Sequence, residues 1–219
     1  ATGKMSMMVA QNGPGITNFV TPVKTAYWNH TPLLLVTPQA ANKTLGQGGF
    51  QEVEQMALFK DMVAYQEEVR DPTRIAETLN RVILQAKRAS APAQINIPRD
   101  FWTQVIDIEL PAIVDFERPS GGEDAISKAA ALLSDAKFPV LLNGAGVVIG
   151  GAINASIKLA ERLDAPVCCG YQHNDAFPGS HPLFAGPLGY NGSKAGMELI
   201  AKADVVLALG TRLNPFSTL

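Results

Sequence analysis

Apolar residues along this chain come in two rhythms. Runs at 5–11, 33–37, 62–69, 94–97, 140–143, 167–170 and 205–209 are short and nearly continuous. That is the pattern of strands buried on both faces of a parallel sheet. Between them apolar positions recur every three to four residues. Residues 73–88 place Ile75, Leu79, Val82, Ile83 and Ala86 on one face with Arg74, Glu77 and Arg81 turned out, which predicts an amphipathic helix. Asp71-Pro72 ahead of it supplies a side-chain cap and a residue suited to the first turn. Residues 124–135 and 152–163 read the same way. Strand and helix patterns alternate throughout, so an α/β architecture with parallel sheets is predicted.

The alternation breaks between residues 98 and 122. Pro98, Pro111, Pro119, Gly121 and Gly122 fall there, with Asp107, Glu109, Asp115, Glu117 and Arg118 among them. Such a stretch reads as an interdomain linker over the surface. The expected organisation is a domain over 1–105, a linker over 106–121 and a second domain over 122–219. The chain opens on Ala1-Thr2-Gly3-Lys4 and stops at Leu219 soon after an apolar run. Both ends are expected to be cuts through a longer polypeptide.

Composition narrows the function classes. A hydrophobic content of 47% with 17% charged residues suits a packed core. A net charge of −2, without a basic stripe, gives no footprint for nucleic acid. No apolar run approaches membrane-spanning length, and no signal-peptide pattern opens the chain. The adjacent Cys168 and Cys169 cannot form an ordinary disulfide with each other, and two reduced thiols suit the cytoplasm. No set of residues at ligand spacing points to a protein-bound metal.

Two glycine-rich motifs carry the candidate chemistry. In Gln11-Asn12-Gly13-Pro14-Gly15-Ile16-Thr17-Asn18 an apolar run breaks and a helical pattern starts near Ile16. Gly13 and Gly15 permit a close backbone approach, Pro14 stiffens the turn, and a helix start offers unpaired N–H groups. On spacing alone this is as well explained by a tight strand–helix connection. The second motif is Gly48-Gly49-Phe50-Gln51-Glu52, in which Phe50 serves equally as an anchor packing its loop. Lys43 and Asn42, with His30 and Lys4, are candidates for an anionic substrate, because a sulfonate or phosphate takes lysine, arginine or N–H partners. A lone lysine in a glycine-rich loop is as readily a solvated cation, and His30 reads as a turn histidine.

Together the two motifs resemble those of the thiamine-diphosphate enzymes of the acetolactate synthase group. The resemblance extends through Tyr27-Trp28-Asn29-His30-Thr31-Pro32 and Pro38-Gln39-Ala40-Ala41-Asn42-Lys43 to Trp102, and again from Pro139 to Leu219. It implies a parallel-sheet thiamine-diphosphate-binding fold, with part of a pyrimidine-binding domain followed by part of a Rossmann-like middle domain. Gly13, Pro14, Gly15 and Asn18 would then lie against the cofactor's aminopyrimidine. Gln51 would reach the cofactor and the reacting groups, Phe50 would line the mouth, and Lys43 would meet substrate. Glu52 is expected to cap the following helix. The catalytic glutamate is expected upstream of Ala1, and the segment binding Mg2+ and diphosphate beyond Leu219, so the isolated chain should be inactive. Within the group the likeness points to a branch that turns sulfoacetaldehyde and phosphate into acetyl phosphate and sulfite, in taurine and sulfonate breakdown. A homodimer or homotetramer follows by analogy. An acetolactate-forming or 2-oxo-acid-decarboxylating enzyme is the alternative.

Asn143-Gly144-Ala145-Gly146-Val147-Val148-Ile149-Gly150 resembles a dinucleotide-binding turn. Its third glycine falls one place late, and the next strand ends in Cys168-Cys169-Gly170 rather than near an acid. A nicotinamide module is therefore disfavoured, and a scaffold turn without FAD is expected, although Gly210-Thr211-Arg212 resembles the start of a flavin-contacting loop. His173, Asp175 and His181-Pro182 fall in a long loop with at most a lining role. Cys168 and Cys169 read as small buried hydrophobes.

Overall fold

The computed structural model describes residues 4–112 and 119–218. Residues 113–118, which include Asp115, Glu117 and Arg118 of the predicted linker, lie outside the described residues, as do 1–3 and 219. The chain divides into two compact units, Ala1–Arg118 and Pro119–Leu219.

In the first unit the order is β1 (Ser6–Val9), α1 (Pro14–Thr17), α2 (Val20–Trp28), β2 (Leu33–Gln39), α3 (Gln55–Phe59), β3 (Tyr65–Glu68), α4 (Ile75–Ala89) and β4 (Pro92–Pro98). The strands form one parallel sheet in the order β1-β2-β4-β3. β2 and β4 lie at its centre, paired over seven residues from Leu33↔Pro92 to Gln39↔Pro98. Apolar residues fill both faces. Leu33 and Leu35 pack with Ile16, Val23 and Phe59 from the short helices. Leu34, Val36 and Ile95 pack with Val82 and Ala86 of α4. Burying a side chain such as Val82 stabilises by about 1.5–3 kcal/mol. Asp71 caps the entry to α4 as its sequence predicts, accepting from the Thr73 N–H at 2.9 Å, and Ser90 in the left-handed conformation ends it.

In this unit the expectation that every apolar run is buried fails at the β1 edge. Among the described residues β1 pairs only with β2, and Met7 and Val9 remain 61% and 49% exposed. The run at 62–69 contributes only Tyr65–Glu68 to the ladder. The buried interior also carries a polar row. Gln94 donates to Thr37 Oγ1 at 3.0 Å, Thr37 to Asn96 Oδ1 at 2.7 Å, and Asn96 to Glu68 Oε2 at 2.7 Å. These bonds satisfy most of the row's polar groups, whose burial would otherwise be costly, and leave Gln94 Oε1 without a partner among the described residues.

The second unit runs α5 (Glu123–Asp135), β5 (Pro139–Asn143), α6 (Ala145–Ile149), α7 (Ile153–Leu163), β6 (Val167–Gly170), β7 (Phe184–Leu188), α8 (Lys194–Lys202), β8 (Val205–Leu209) and α9 (Pro215–Thr218). Its sheet is again wholly parallel, in the order β7-β6-β5-β8. Leu141, Val167 and Cys169 pack towards Ala160 of α7. Val140, Leu142 and Cys168 pack with Met197 and Ile200 of α8 on the other face. β7 is absent from the pattern-based reading because Gly186 and Pro187 interrupt its apolar run. An edge strand tolerates both, and the β6–β7 register shifts between Val167 and Cys168. The α/β architecture with parallel sheets is the one observed.

Candidate functional site

In a parallel sheet all loops leaving the carboxyl ends of the strands emerge at one side, where ligands of such folds bind. In the first unit the loop after β1 meets the loop after β2 there. Gly13 has φ +69° and ψ −115°, a conformation open to glycine. A Cβ on Gly13 would stand 2.6 Å from the Gln51 carbonyl oxygen, so its bare Cα is what lets the two loops touch. The expected helix beginning near Ile16 is broken into the single turn α1 and then α2. Its first donors are already engaged, Ile16 N–H on Gln11 O at 3.1 Å and Thr17 N–H on Gly13 O at 2.9 Å. Asn18 Nδ2 donates to Pro14 O at 2.7 Å, which leaves Oδ1 as the acceptor of that amide.

The loop spanning 40–54 is braced at both ends by Gln39, whose Oε1 accepts from Ala40 N–H at 2.8 Å and whose Nε2 donates to Val53 O at 3.2 Å. Glu52 does not cap α3 as expected. Its carboxylate turns back to accept from Gly46 N–H at 2.7 Å and Gly49 N–H at 3.2 Å, holding the glycine turn closed. Phe50 stands 81% exposed beside it. Gln51 is held left-handed at φ +61°, a sparsely populated state for a residue with a side chain. Two amides clamp it: Asn12 Nδ2 donates to Gln51 O at 3.0 Å, and Gln11 Nε2 donates to Gln51 Oε1 at 2.7 Å.

The structure thus brings Gly13, Pro14, Gly15 and Asn18 to the same end of the sheet as Phe50 and Gln51. Lys43 lies at that end too, in a turn tied down by Asn42 N–H on Asp100 Oδ1 at 3.1 Å. His30 and Lys4 do not join it. They precede β2 and β1, so the seven-residue β2, about 20 Å long, separates them from Lys43. His30 has φ 52° and occupies a turn, as its sequence suggests. Gln11 and Asn12 are the residues the pattern-based reading leaves without a role. Their signal is two consecutive long-reach amides just before the glycine turn.

The second unit explains its glycines internally. A Cβ on Gly144 would lie 2.7 Å from Gly210 O, and one on Gly146 would lie 2.6 Å from Gly210 Cα. The loop after β8 therefore packs directly on the turn after β5. Asn143 is buried and donates to Ser156 Oγ at 2.8 Å and Ala176 O at 3.0 Å. Burial pushes the Cys168 thiol up to about 11 and the Cys169 thiol up to about 12, as befits unreactive buried sulfurs. His173 lies 3.5 Å from Asp175, and His181 lies 3.4 Å from Glu161. Among the described residues no group of three or more His, Cys, Asp or Glu is placed to hold a metal.

Residues 1–58 match the thiamine pyrophosphate enzyme N-terminal TPP binding domain, and residues 126–219 match the thiamine pyrophosphate enzyme central domain. The chain belongs to the thiamine pyrophosphate enzymes. Within that family it is 87% identical over its whole length to sulfoacetaldehyde acetyltransferase of Roseovarius nubinhibens, covering 36% of that protein. Sulfoacetaldehyde acetyltransferase of Castellaniella defragrans is 51% identical over 218 residues, with 100% of this chain and 36% of that protein covered. A probable acetolactate synthase large subunit of Methanocaldococcus jannaschii is 34% identical, with 98% and 38% covered. Among solved structures, the thiamine diphosphate-dependent 4-hydroxybenzoylformate decarboxylase of Rhodococcus jostii RHA1 has a TM-score of 0.82 at 26% identity, covering 96% of this chain and 41% of that one. The chain thus spans little over a third of the length of these curated relatives.

The residues at the carboxyl end of the first sheet fit the family's cofactor. An aminopyrimidine combines an apolar ring with an amino donor and ring-nitrogen acceptors. The exposed Phe50 ring and Pro14 offer apolar surface. Asn18, whose amide N–H is engaged by Pro14 O, keeps its Oδ1 to accept, and the Gln51 amide adds a second polar group.

Proposed function

We propose that this chain is part of a thiamine-diphosphate-dependent sulfoacetaldehyde acetyltransferase, which converts sulfoacetaldehyde and phosphate to acetyl phosphate and sulfite. The observation that carries the reading is the 87% identity, unbroken over the chain, with a relative of that name. The contact between the Gly13 turn and Gln51 supports it, because it gathers the expected cofactor residues at one place. Thiamine diphosphate held by these residues would supply the nucleophilic carbon that this acyl-transfer chemistry needs. The protein's part is binding and orientation. Gly13, Pro14, Gly15 and Asn18 would hold the pyrimidine. Gln51 donates its amide N–H at the reaction centre. Phe50 covers the mouth and excludes water, and the Lys43 ammonium pairs with the sulfonate or phosphate.

Mg2+ and the diphosphate are proposed to bind in a part of the full-length enzyme outside this chain, as is the catalytic glutamate. A homodimer or homotetramer in the cytoplasm completes the reading. An acetolactate synthase-like enzyme or a 2-oxo acid decarboxylase is the second reading, supported by the 34% identity to the Methanocaldococcus jannaschii relative and the likeness to the decarboxylase structure.

The test uses the full-length enzyme with thiamine diphosphate, Mg2+, phosphate and sulfoacetaldehyde. Sulfite and acetyl phosphate should appear in equal amounts and only with the cofactor. Acetolactate or carbon dioxide from a 2-oxo acid, without sulfite, would keep the family and replace the substrate. Gln51→Ala should lower turnover by on the order of 10²-fold at an unchanged melting temperature. Turnover at the wild-type level would remove Gln51 from the reaction centre.

A further inference from the structure

The loop that carries Lys43, Phe50 and Gln51 leaves the sheet at the end of β2 and rejoins the core at α3. Its two ends are tied by crossed side-chain bonds. Gln39, the last residue of β2, reaches forward: its Nε2 donates to Val53 O at 3.2 Å while its Oε1 accepts from Ala40 N–H at 2.8 Å. Gln55, the first residue of α3, reaches back, its Nε2 donating to Pro38 O at 2.6 Å. Neither amide can be turned over, because the two carbonyls only accept and the Ala40 N–H only donates. Both residues are buried, Gln39 at 4% exposure and Gln55 at 0%.

The two ends of the loop differ in what else holds them. Pro38 and Gln39 belong to the central ladder, opposite Ile97 and Pro98 of β4. α3 is five residues long and its start has no side-chain cap, so the amides hold the point at which the chain returns. Gln55 is poorly suited to a purely stabilising role. Its Oε1 is buried without a partner among the described residues, which costs stability. What the side chain does provide is a fixed span between Pro38 and the start of α3.

We propose that Gln39 and Gln55 are positioning residues that close the neck of the 40–54 loop and thereby set Gln51 at the reaction centre. This rests on the reading that Gln51 meets the reacting groups. Across the site Asn12 Nδ2 donates to Gln51 O at 3.0 Å, and the neck decides whether the loop can bring Gln51 to that bond. A displacement of about 1 Å at a reacting group can cost about 10²-fold in rate. Residues 39 and 55 act through residue 51 and do not touch substrate.

Methionine keeps the length of glutamine and removes its polar groups, so Gln39→Met, Gln55→Met and the pair are made in the wild-type and Gln51→Ala backgrounds. In the full-length enzyme with saturating thiamine diphosphate and Mg2+, kcat and KM are read by sulfite release, folding by thermal melting, and the 40–54 segment by hydrogen exchange. Each single variant should lower kcat a few-fold. The pair should lower it by on the order of 10²-fold, more than the product of the two, because both bonds close one neck. Exchange within 40–54 should rise in the same order. Gln55→Met also removes the unpartnered oxygen, so its melting temperature should stay near that of the wild type while kcat falls, a split that a merely structural role would not give. In the Gln51→Ala background the two substitutions should have little further effect on kcat.

A wild-type kcat in the pair, with Gln51→Ala impaired, would overturn the proposal and leave Gln51 at the reaction centre. So would a loss that survives undiminished in the Gln51→Ala background, or a loss in Gln55→Met that only follows a lower melting temperature. Wild-type turnover of Gln51→Ala is a separate outcome that removes the reading of Gln51. Hydrogen exchange then decides: faster exchange confined to 40–54 upholds closure of the neck by the two amides, and unchanged exchange overturns it. If the wild type releases no sulfite, the same variants are read on the 2-oxo acid it does turn over, with the same outcomes.

Discussion

At the scale of single residues the informative feature is a contact between positions 13 and 51. Glycine at 13 does two things at once: it adopts φ +69° with ψ −115°, and it leaves room for the Gln51 backbone. Gly48 shares the first property, at φ +72°, but would meet nothing within 4 Å if it carried a Cβ. Gly13→Ala should therefore lower stability by about 1–3 kcal/mol. Gly48→Ala should cost less, because only its backbone preference is affected. Chemical denaturation of both variants checks the order, and an equal loss would mean that the close approach carries no energy. The sequence named Gly13, Pro14, Gly15, Asn18, Phe50 and Gln51 as a set. It could not pair Gln11 and Asn12 with Gln51, because contacts across some forty residues leave no trace in local spacing. Glu52 illustrates the same limit: a carboxylate before a helix reads as a cap, yet here the glycine N–H groups of its own loop lie nearer.

At the scale of elements, β3 and α4 are joined by a charge network. Arg81 forks between Glu67 at 2.8 Å and Glu77 at 2.9 Å, and Arg74 reaches Glu77 at 2.9 Å. Hydrogen bonds from Arg74, then Arg81, hold the Glu77 carboxyl down to about 2, and Arg81 lowers that of Glu67. A carboxylate held below its usual value adds stability above that value, near 4.5, and loses it as pH falls towards about 2. Arg81→Met should therefore shift acid unfolding of this unit to higher pH, followed by circular dichroism from neutral pH downwards. An unshifted midpoint would mean that solvent screening leaves the network without effect. Elements with strong periodicity, α4 and α7 above all, were legible in the sequence. The break between α1 and α2, the bounds of the short helices α3 and α6, and the edge strand β7 were not, since four or five residues establish no period and tertiary packing decides them.

At the scale of the whole molecule, two four-stranded parallel sheets each leave two strands with a single partner. β3 carries Gln66, Glu67 and Glu68 along its edge, charged or polar residues of the kind that discourage further pairing. β1 has no such residues: its Met7 and Val9 face outward, and among the described residues no strand pairs with its outer edge. β8 is similar, with Val206 42% exposed. The alternation of strands and helices made the architecture legible in the sequence, but strand order, which decides the edges, follows from pairing and is invisible along the chain. The 219-residue chain prepared by itself should therefore self-associate as its concentration rises, and Val9→Lys should suppress this, as light scattering would record. A solution that stays monodisperse for the unaltered chain would contradict it. The bare β1 edge is then a matter of handling as much as of architecture: an adhesive seam that anyone purifying this polypeptide in isolation has to cover.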